Sequence, residues 1–247
     1  MMWYKYVLLL LGGMFAGFVN VLAGGGSMVT IPLLNFAGLP IDMANATNRV
    51  AIFLQNVISV SKFFKEGKLK WRRGLVLAIF ATLGAILGAY IVISIDRTLL
   101  KRIIGFIFLG MLIFTLKKPD LGTVEKKERP PLWLSVIVFF LIGIYGGFIQ
   151  AGVGFFLVYA LVLIEGYDLV SANAIKVFIV LIYTVVALSM FALSGLVNWK
   201  LGLVLAVGNM IGAYVGTVFA IFKGAKWVKW VLTLMVGVVS IAYILGI

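Results

Sequence analysis

The chain has 247 residues, of which 64% are hydrophobic and 12% charged, with a formal net charge of +13 and mean hydropathy +1.19. A water-soluble domain carries roughly 45–50% apolar and about 25% charged residues, so a soluble enzyme, a disordered chain and a nucleic-acid-binding domain are excluded. Long unbroken apolar runs, rather than alternating segments of roughly ten residues, exclude a β-barrel and predict an all-α, polytopic helical membrane protein.

In chain order, the first apolar stretch covers about residues 6–38 and is broken at Ala23-Gly24-Gly25-Gly26-Ser27, with Pro32 further on. Its start, from Lys5 to Gly24, has the outline of a secretory signal. The same pattern returns in the second half, so it is read as part of the membrane domain. Three ordinary spans follow at about 44–61, 74–95 and 99–116, each near the roughly 20 residues that cross a bilayer as a helix. Residues 117–131, charged and holding three prolines, read as a cytoplasmic linker. A second stretch at 132–164 is broken at Gln150-Ala151-Gly152-Val153-Gly154, and spans at 172–193, 202–222 and 227–246 complete the chain. All six tryptophans, Trp3, Trp71, Trp133, Trp199, Trp227 and Trp230, lie at or near segment ends, where amphipathic rings favour the headgroup layer.

The two halves are one pattern repeated. A shift of 128 residues lays Gly24 and Gly26 on Gly152 and Gly154, Ala44-Asn45-Ala46 on Ala172-Asn173-Ala174, and Trp71 on Trp199. It also lays Gly84, Ala85 and Gly88 on Gly212, Ala213 and Gly216. Two homologous repeats, 1–116 and 132–247, are therefore expected, each a glycine-broken segment plus three spans. Gly84, Gly88, Gly208, Gly212 and Gly216 stand four apart, a spacing that lets helix backbones touch in lipid, and their helices are expected at the centre of the molecule. If each half crosses an odd number of times, one side holds 14 basic loop residues and the other 5; an even count gives 13 and 6. Either way the positive-inside rule puts 62–73 and 117–129 in the cytoplasm. Inverted repeats are preferred because transporters place broken helices in inverted halves.

Irregular backbone survives in lipid only where protein or a water-filled cavity satisfies its amides. The breaks at Gly24, Gly25, Gly26 and Ser27, and at Gln150, Gly152 and Gly154, therefore mark either a ligand site at exposed helix ends or tight packing around glycine. Asn45-Ala46-Thr47-Asn48-Arg49 and Asn173-Ala174-Ile175-Lys176 open the spans after the breaks. Arg49 and Lys176 are the only basic residues well inside a span, and they either face a partner or pathway or snorkel to the interface. All eight carboxylates fall at loops or segment ends, so no embedded acid stands out as a sodium ligand or proton carrier. A pathway lined by amides, hydroxyls and cations favours an anion. With no His and no Cys, the usual ligands of zinc, haem and iron–sulfur clusters are missing, and no metal or cofactor is expected.

An Ala-Gly-Gly-Gly-Ser break, then Gly38-Leu39-Pro40, Ala44-Asn45-Ala46-Thr47-Asn48, and Gly67-Lys68-Leu69-Lys70-Trp71 before a glycine-rich span resembles the TauE/SafE family. These are sulfite exporter and organosulfonate permease-like proteins. The resemblance covers both halves and implies a multi-pass secondary transporter of the cytoplasmic membrane. It implies a small sulfur-containing anion, such as sulfite or sulfoacetate, bound between the repeats and exported by alternating access. The matching positions are Gly24, Gly25, Gly26, Asn45, Thr47 and Asn48, with Gly152, Gly154, Asn173 and Lys176. The second half departs from the pattern at Val153 and Ile175. The rival readings are an anion or small-solute channel, a lipid-phosphate enzyme and an accessory subunit. The lack of His and of an embedded acid speaks against the enzyme.

Overall fold

The structure is a computed structural model that describes residues 3–22, 24–100, 102–104, 106 and 130–244, and for residues 224–244 the backbone alone. The linker up to residue 129, most of the span expected at 99–116, and the side chains of the span expected at 227–246 lie outside the described residues. The helices are α1 (Trp3–Leu22), α2 (Ser27–Phe36), α3 (Ile41–Lys65) and α4 (Trp71–Ser94). After the linker come α5 (Leu132–Phe148), α6 (Val153–Tyr159, prolonged by a π turn Ala160–Ile164), α7 (Leu169–Leu193) and α8 (Trp199–Ile244). No strand occurs among the described residues.

Local chemistry sets these bounds. Pro40 and Pro131 stand just before α3 and α5, where a missing N–H costs nothing. The Asp168 carboxylate accepts from Val170 N and Ser171 N at the start of α7, at 2.9 and 3.0 Å. Helices α3 and α7 both end on a left-handed glycine, Gly67 at φ +65° and Gly195 at φ +70°, as a C-terminal cap requires. The spans expected at 202–222 and 227–246 are instead one uninterrupted helix of 46 residues. Nothing in Lys223-Gly224-Ala225-Lys226 forces a stop, since a lone glycine costs only about 1 kcal/mol and no proline is present.

The chain path follows from the contacts. Lys5 Nζ donates to Ala37 O at 3.1 Å, so the start of α1 and the end of α2 lie at one face, here the near face. Helices α1 and α2 are thus a re-entrant hairpin whose tip, residues 24–26, turns back inside the molecule. Helix α3 crosses to the far face and α4 returns. Arg97 Nε meets Asp42 Oδ2 at 2.8 Å and ties the end of α4 to the start of α3 at the near face. The second hairpin, α5 and α6, opens on the far face, where Arg73 at the start of α4 reaches Ser135 and Glu165. Helix α7 then runs to the near face and α8 back again.

Helices of the two halves interleave. Gly84 abuts Phe140 and Ile144, and Gly88 abuts Ile144 and Phe148, so α4 runs parallel to α5. Gly208 abuts Leu10 and Met14, and Gly212 abuts Met14 and Phe18, so α8 runs parallel to α1. A Cβ at any of these glycines would strike backbone of the partner helix. The glycine helices are not central, as the sequence led us to expect. They flank the molecule, because only one face is small: Ile79, Leu83 and Tyr90 on α4, and Leu203, Ile211 and Tyr214 on α8, are exposed. The centre is held by α3 and α7, which pack on each other.

Exposed Leu11, Phe15, Ile137 and Leu141 extend this apolar belt around α1 and α5, a surface suited to lipid rather than water. By length and composition α1, α4, α7 and Trp199–Lys223 of α8 can each cross a membrane. Helix α3 has the length but is polar, and its polar side chains point inward.

Two of the carboxylates expected at segment ends lie there and are buried, Asp42 and Glu165. Glu165 accepts from Arg73 Nε and Nη2, both at 3.1 Å, and from Ser135 Oγ. This ion pair clasps the second hairpin to α4. Glu165→Ala leaves Arg73 without its partner and is expected to cost about 3 kcal/mol, read as a lower melting temperature in detergent. Removing both charges together is expected to cost less than the single change.

Candidate functional site

The two hairpin tips meet at the middle of the molecule. Gly24, at φ +83°, lies with its Cα against the backbone of Gly154, and Gly152 takes the equivalent left-handed turn at φ +74°. Side chains larger than hydrogen do not fit between the tips. Each tip carries the C-terminal end of one helix and the N-terminal end of the next, so carbonyl and amide ends of opposite polarity sit side by side.

The residues after each break bind these ends. Arg49 of α3 is fully buried; its Nη2 donates to Gly147 O at 2.8 Å and its Nη1 to Gln150 Oε1 at 3.1 Å, and its guanidinium lies 5.2 Å from the centroid of the Phe191 ring. Lys176 of α7 is 2% exposed; its Nζ donates to Asn20 O, Val21 O and Asn173 Oδ1 at 2.9, 2.6 and 2.8 Å. Neither snorkels. Each cation caps the carbonyl end of the first helix of the opposite half, where positive charge is stabilised. They converge on equivalent places although a 128-residue shift sets Lys176 on Asn48 rather than on Arg49.

Carbonyl caps are dipoles and leave the charge in place. Among the described residues no carboxylate pairs with Arg49 or Lys176; the ion pairs are Lys62–Glu66, Arg73–Glu165 and Arg97–Asp42. Two uncompensated cations in an apolar interior are costly, and an anion relieves that cost. Their hydrogen bonds differ. Lys176 has its three donors engaged, whereas among the described residues Arg49 Nε has no partner, nor do Asn45 Oδ1 and Asn173 Nδ2.

The other expected residues divide. Asn48 Nδ2 donates to Ser27 Oγ at 2.9 Å, and Thr30 Oγ1 donates to Asn48 Oδ1 at 2.6 Å, so Asn48 pins the start of α2. Asn45 Nδ2 donates to Phe148 O at 2.9 Å and joins Arg49 at the end of α5. Gln150 also bonds Tyr183 Oη at 3.0 Å. Gly25 lies beside Phe155, and Gly26 packs under Ala16 and Asn20. Thr47 is elsewhere: its Oγ1 accepts from Asn198 N at 2.9 Å and holds the turn before α8. Thr30 and Phe191 were not chosen from the sequence, whereas Tyr183 reads there as a possible donor. Thr30 stands one turn after Ser27, a spacing that could have revealed it.

The family described as Sulfite exporter TauE/SafE matches residues 9–243. A probable membrane transporter protein of Sinorhizobium sp is 31% identical over 221 residues, 89% of this chain and 85% of that one. One from Haemophilus influenzae is 29% identical, covering 90% of this chain and 88% of its own length. The probable membrane transporter YfcA of Escherichia coli K12 is 30% identical, with 92% and 85% covered. No solved structure matches the chain.

The contact of the tips gives a direct test. Gly24→Ala places a Cβ on Gly154 and forces a left-handed conformation that costs about 1–3 kcal/mol for other residues, before the clash is added. It is expected to lower the yield of folded, monodisperse protein strongly. Gly25→Ala meets only the Phe155 ring, which can turn aside, and is expected to be mild.

Proposed function

From the premise that the chain belongs to the sulfite exporter TauE/SafE family, a membrane transporter and not an enzyme, we propose that it carries a small sulfur-containing anion across the cytoplasmic membrane. Sulfite or an organosulfonate such as sulfoacetate is the substrate class, and export the direction. The observation that carries the reading is the pair of buried cations, Arg49 and Lys176, beside the meeting hairpin tips and without a carboxylate partner among the described residues.

Roles follow from the spare donors. Arg49 Nε offers the oxyanion a direct contact at one end of the site and Asn173 Nδ2 at the other, since Phe191, which packs on Arg49, stands 18 residues along α7 from Asn173. Lys176, its three donors engaged, supplies field rather than contact. Gly24, Gly25, Gly26, Gly152 and Gly154 let the backbone approach the anion, while Ser27, Asn48, Asn45 and Gln150 hold the tips in place. Thr47 is a support of the α8 turn.

The chain is read as two inverted repeats. Supporting this, α3 and α7 begin at residues 41 and 169, both with 25 residues, and α4 and α8 begin at 71 and 199. The left-handed glycines fall in three pairs at the same offset: 24 with 152, 38 with 166, and 67 with 195. The hairpins open on opposite faces. Rocking of one repeat against the other would then expose the central site alternately. The backbone contact of Gly24 with Gly154 closes the centre and favours a carrier over a channel. The far face, with Lys62, Lys65, Lys68, Lys70, Arg72 and Arg73, is taken as cytoplasmic, against Lys5, Arg97 and Lys200 on the near face.

A negative-inside potential favours export of a monoanion by about 2.3 kcal/mol per 100 mV, so efflux needs no embedded proton carrier. The test is counterflow in proteoliposomes loaded with sulfite, sulfoacetate, taurine or sulfate. Saturable exchange of sulfur oxyanions is expected, together with net sulfite efflux that speeds up at negative-inside potential. No exchange with any of the four overturns the substrate class, and large unsaturable flux overturns the carrier.

A further inference from the structure

Between the levels of the two cations the α3–α7 contact holds polar groups that the roles above do not use. Asn56 is 1% exposed and Thr184 is fully buried, yet Asn56 Nδ2 and Thr184 Oγ1 have no hydrogen-bond partner, in each other or elsewhere among the described residues. Helices α3 and α7 are antiparallel, with Arg49 against Phe191. Seven residues on from Arg49 is Asn56, and seven back from Phe191 is Thr184, two turns along the same faces. The two residues therefore stand opposite each other about 10 Å beyond Arg49, and Lys176 stands about 12 Å beyond them toward the far face. They are also 128 residues apart, equivalent positions of the two halves.

We propose that Asn56 and Thr184 form a further holding point for the transported anion, midway between Arg49 and Lys176. Both groups are donors, and an unbonded buried donor is retained at a cost unless something accepts from it. The polar lining continues to the far face only through the first half. Asn209 Nδ2 donates to Gln55 Oε1 and Thr217 Oγ1 to Ser59 Oγ, both at 3.0 Å, with Gln55 Nε2 and Asn209 Oδ1 still unpartnered. The equivalents of Asn209, Thr217 and Ser59 in the other half are Ala81, Ala89 and Ala187. The anion thus meets a neutral, hydrogen-bonding seam on the far side of Asn56 and Thr184 and alanine on the near side. This asymmetry assigns the seam to the limb of the path that opens at the far face.

The inference rests on the anion-transport reading, and the test separates the two. Asn56→Leu and Thr184→Val remove the unpartnered atoms at nearly constant shape. Without ligand both are expected to melt at or above the wild-type temperature. The stabilisation that sulfite gives wild type should shrink, and sulfite counterflow should fall at least tenfold. Thr184→Ser, which keeps the hydroxyl, should retain most of the exchange. Wild-type exchange and sulfite stabilisation in both variants would overturn the second site and leave the transporter reading intact. A clear fall in melting temperature without ligand would show that the groups are already satisfied in the resting fold, and would also overturn it. Absence of any sulfite effect on wild type would sink both readings.

Discussion

The arrangement depends on two cations buried where lipid surrounds the protein. A guanidinium or ammonium in such a place must be neutralised, bonded or expelled, and Arg49 and Lys176 are bonded without being neutralised. Each reaches across to the carbonyl end of the helix that the other half breaks off. This one geometry fixes several others. The breaks must sit at the level of the cations, the tips must turn back inside, and the glycines there must be small enough for the backbones to touch.

The cations also couple the halves. Arg49 holds α5 and Lys176 holds α1, while the glycine faces of α4 and α8 clamp the same two helices from outside. The first helix of each half is thus gripped at its tip by one helix and along its flank by another, both from the opposite half. Polar bonds at the tips have fixed geometry and low dielectric, so breaking one leaves a costly group. The glycine contacts are broad and non-directional, and they tolerate sliding. A relative motion of the halves would therefore be resisted at the centre and permitted at the flanks. The Arg73–Glu165–Ser135 cluster adds a lock on the far face that has only apolar counterparts, Leu201, Ala37 and Val7, on the near face.

Much of this is legible in the sequence because membrane helices obey simple rules. Apolar length gave α4 and α7 to within a few residues, and the expected 44–61 falls inside α3. A charge inside an apolar run is rare enough to single out Arg49 and Lys176. What the sequence did not carry is which element each side chain reaches. Nothing in Arg49 specifies Gly147, 98 residues on, and nothing in Thr47 says that it faces Asn198 rather than the tips. Glu165 does stand at a segment end, but nothing in the sequence says that a π turn and two neighbours from other elements bury it. The glycine stripes were recognised as contact faces but set at the centre, because spacing identifies a face and not its partner.

The central claim is that the charge missing beside Arg49 and Lys176 is supplied by the transported anion. Equilibrium binding of labelled sulfite to the purified protein tests it most directly, comparing wild type with Arg49→Gln and Lys176→Gln. The account expects each variant to weaken binding by at least tenfold, which is about 1.4 kcal/mol. Losing Arg49 should do more, since it also removes the free Nε donor. Unchanged sulfite affinity in both variants, with the fold intact, would contradict the account.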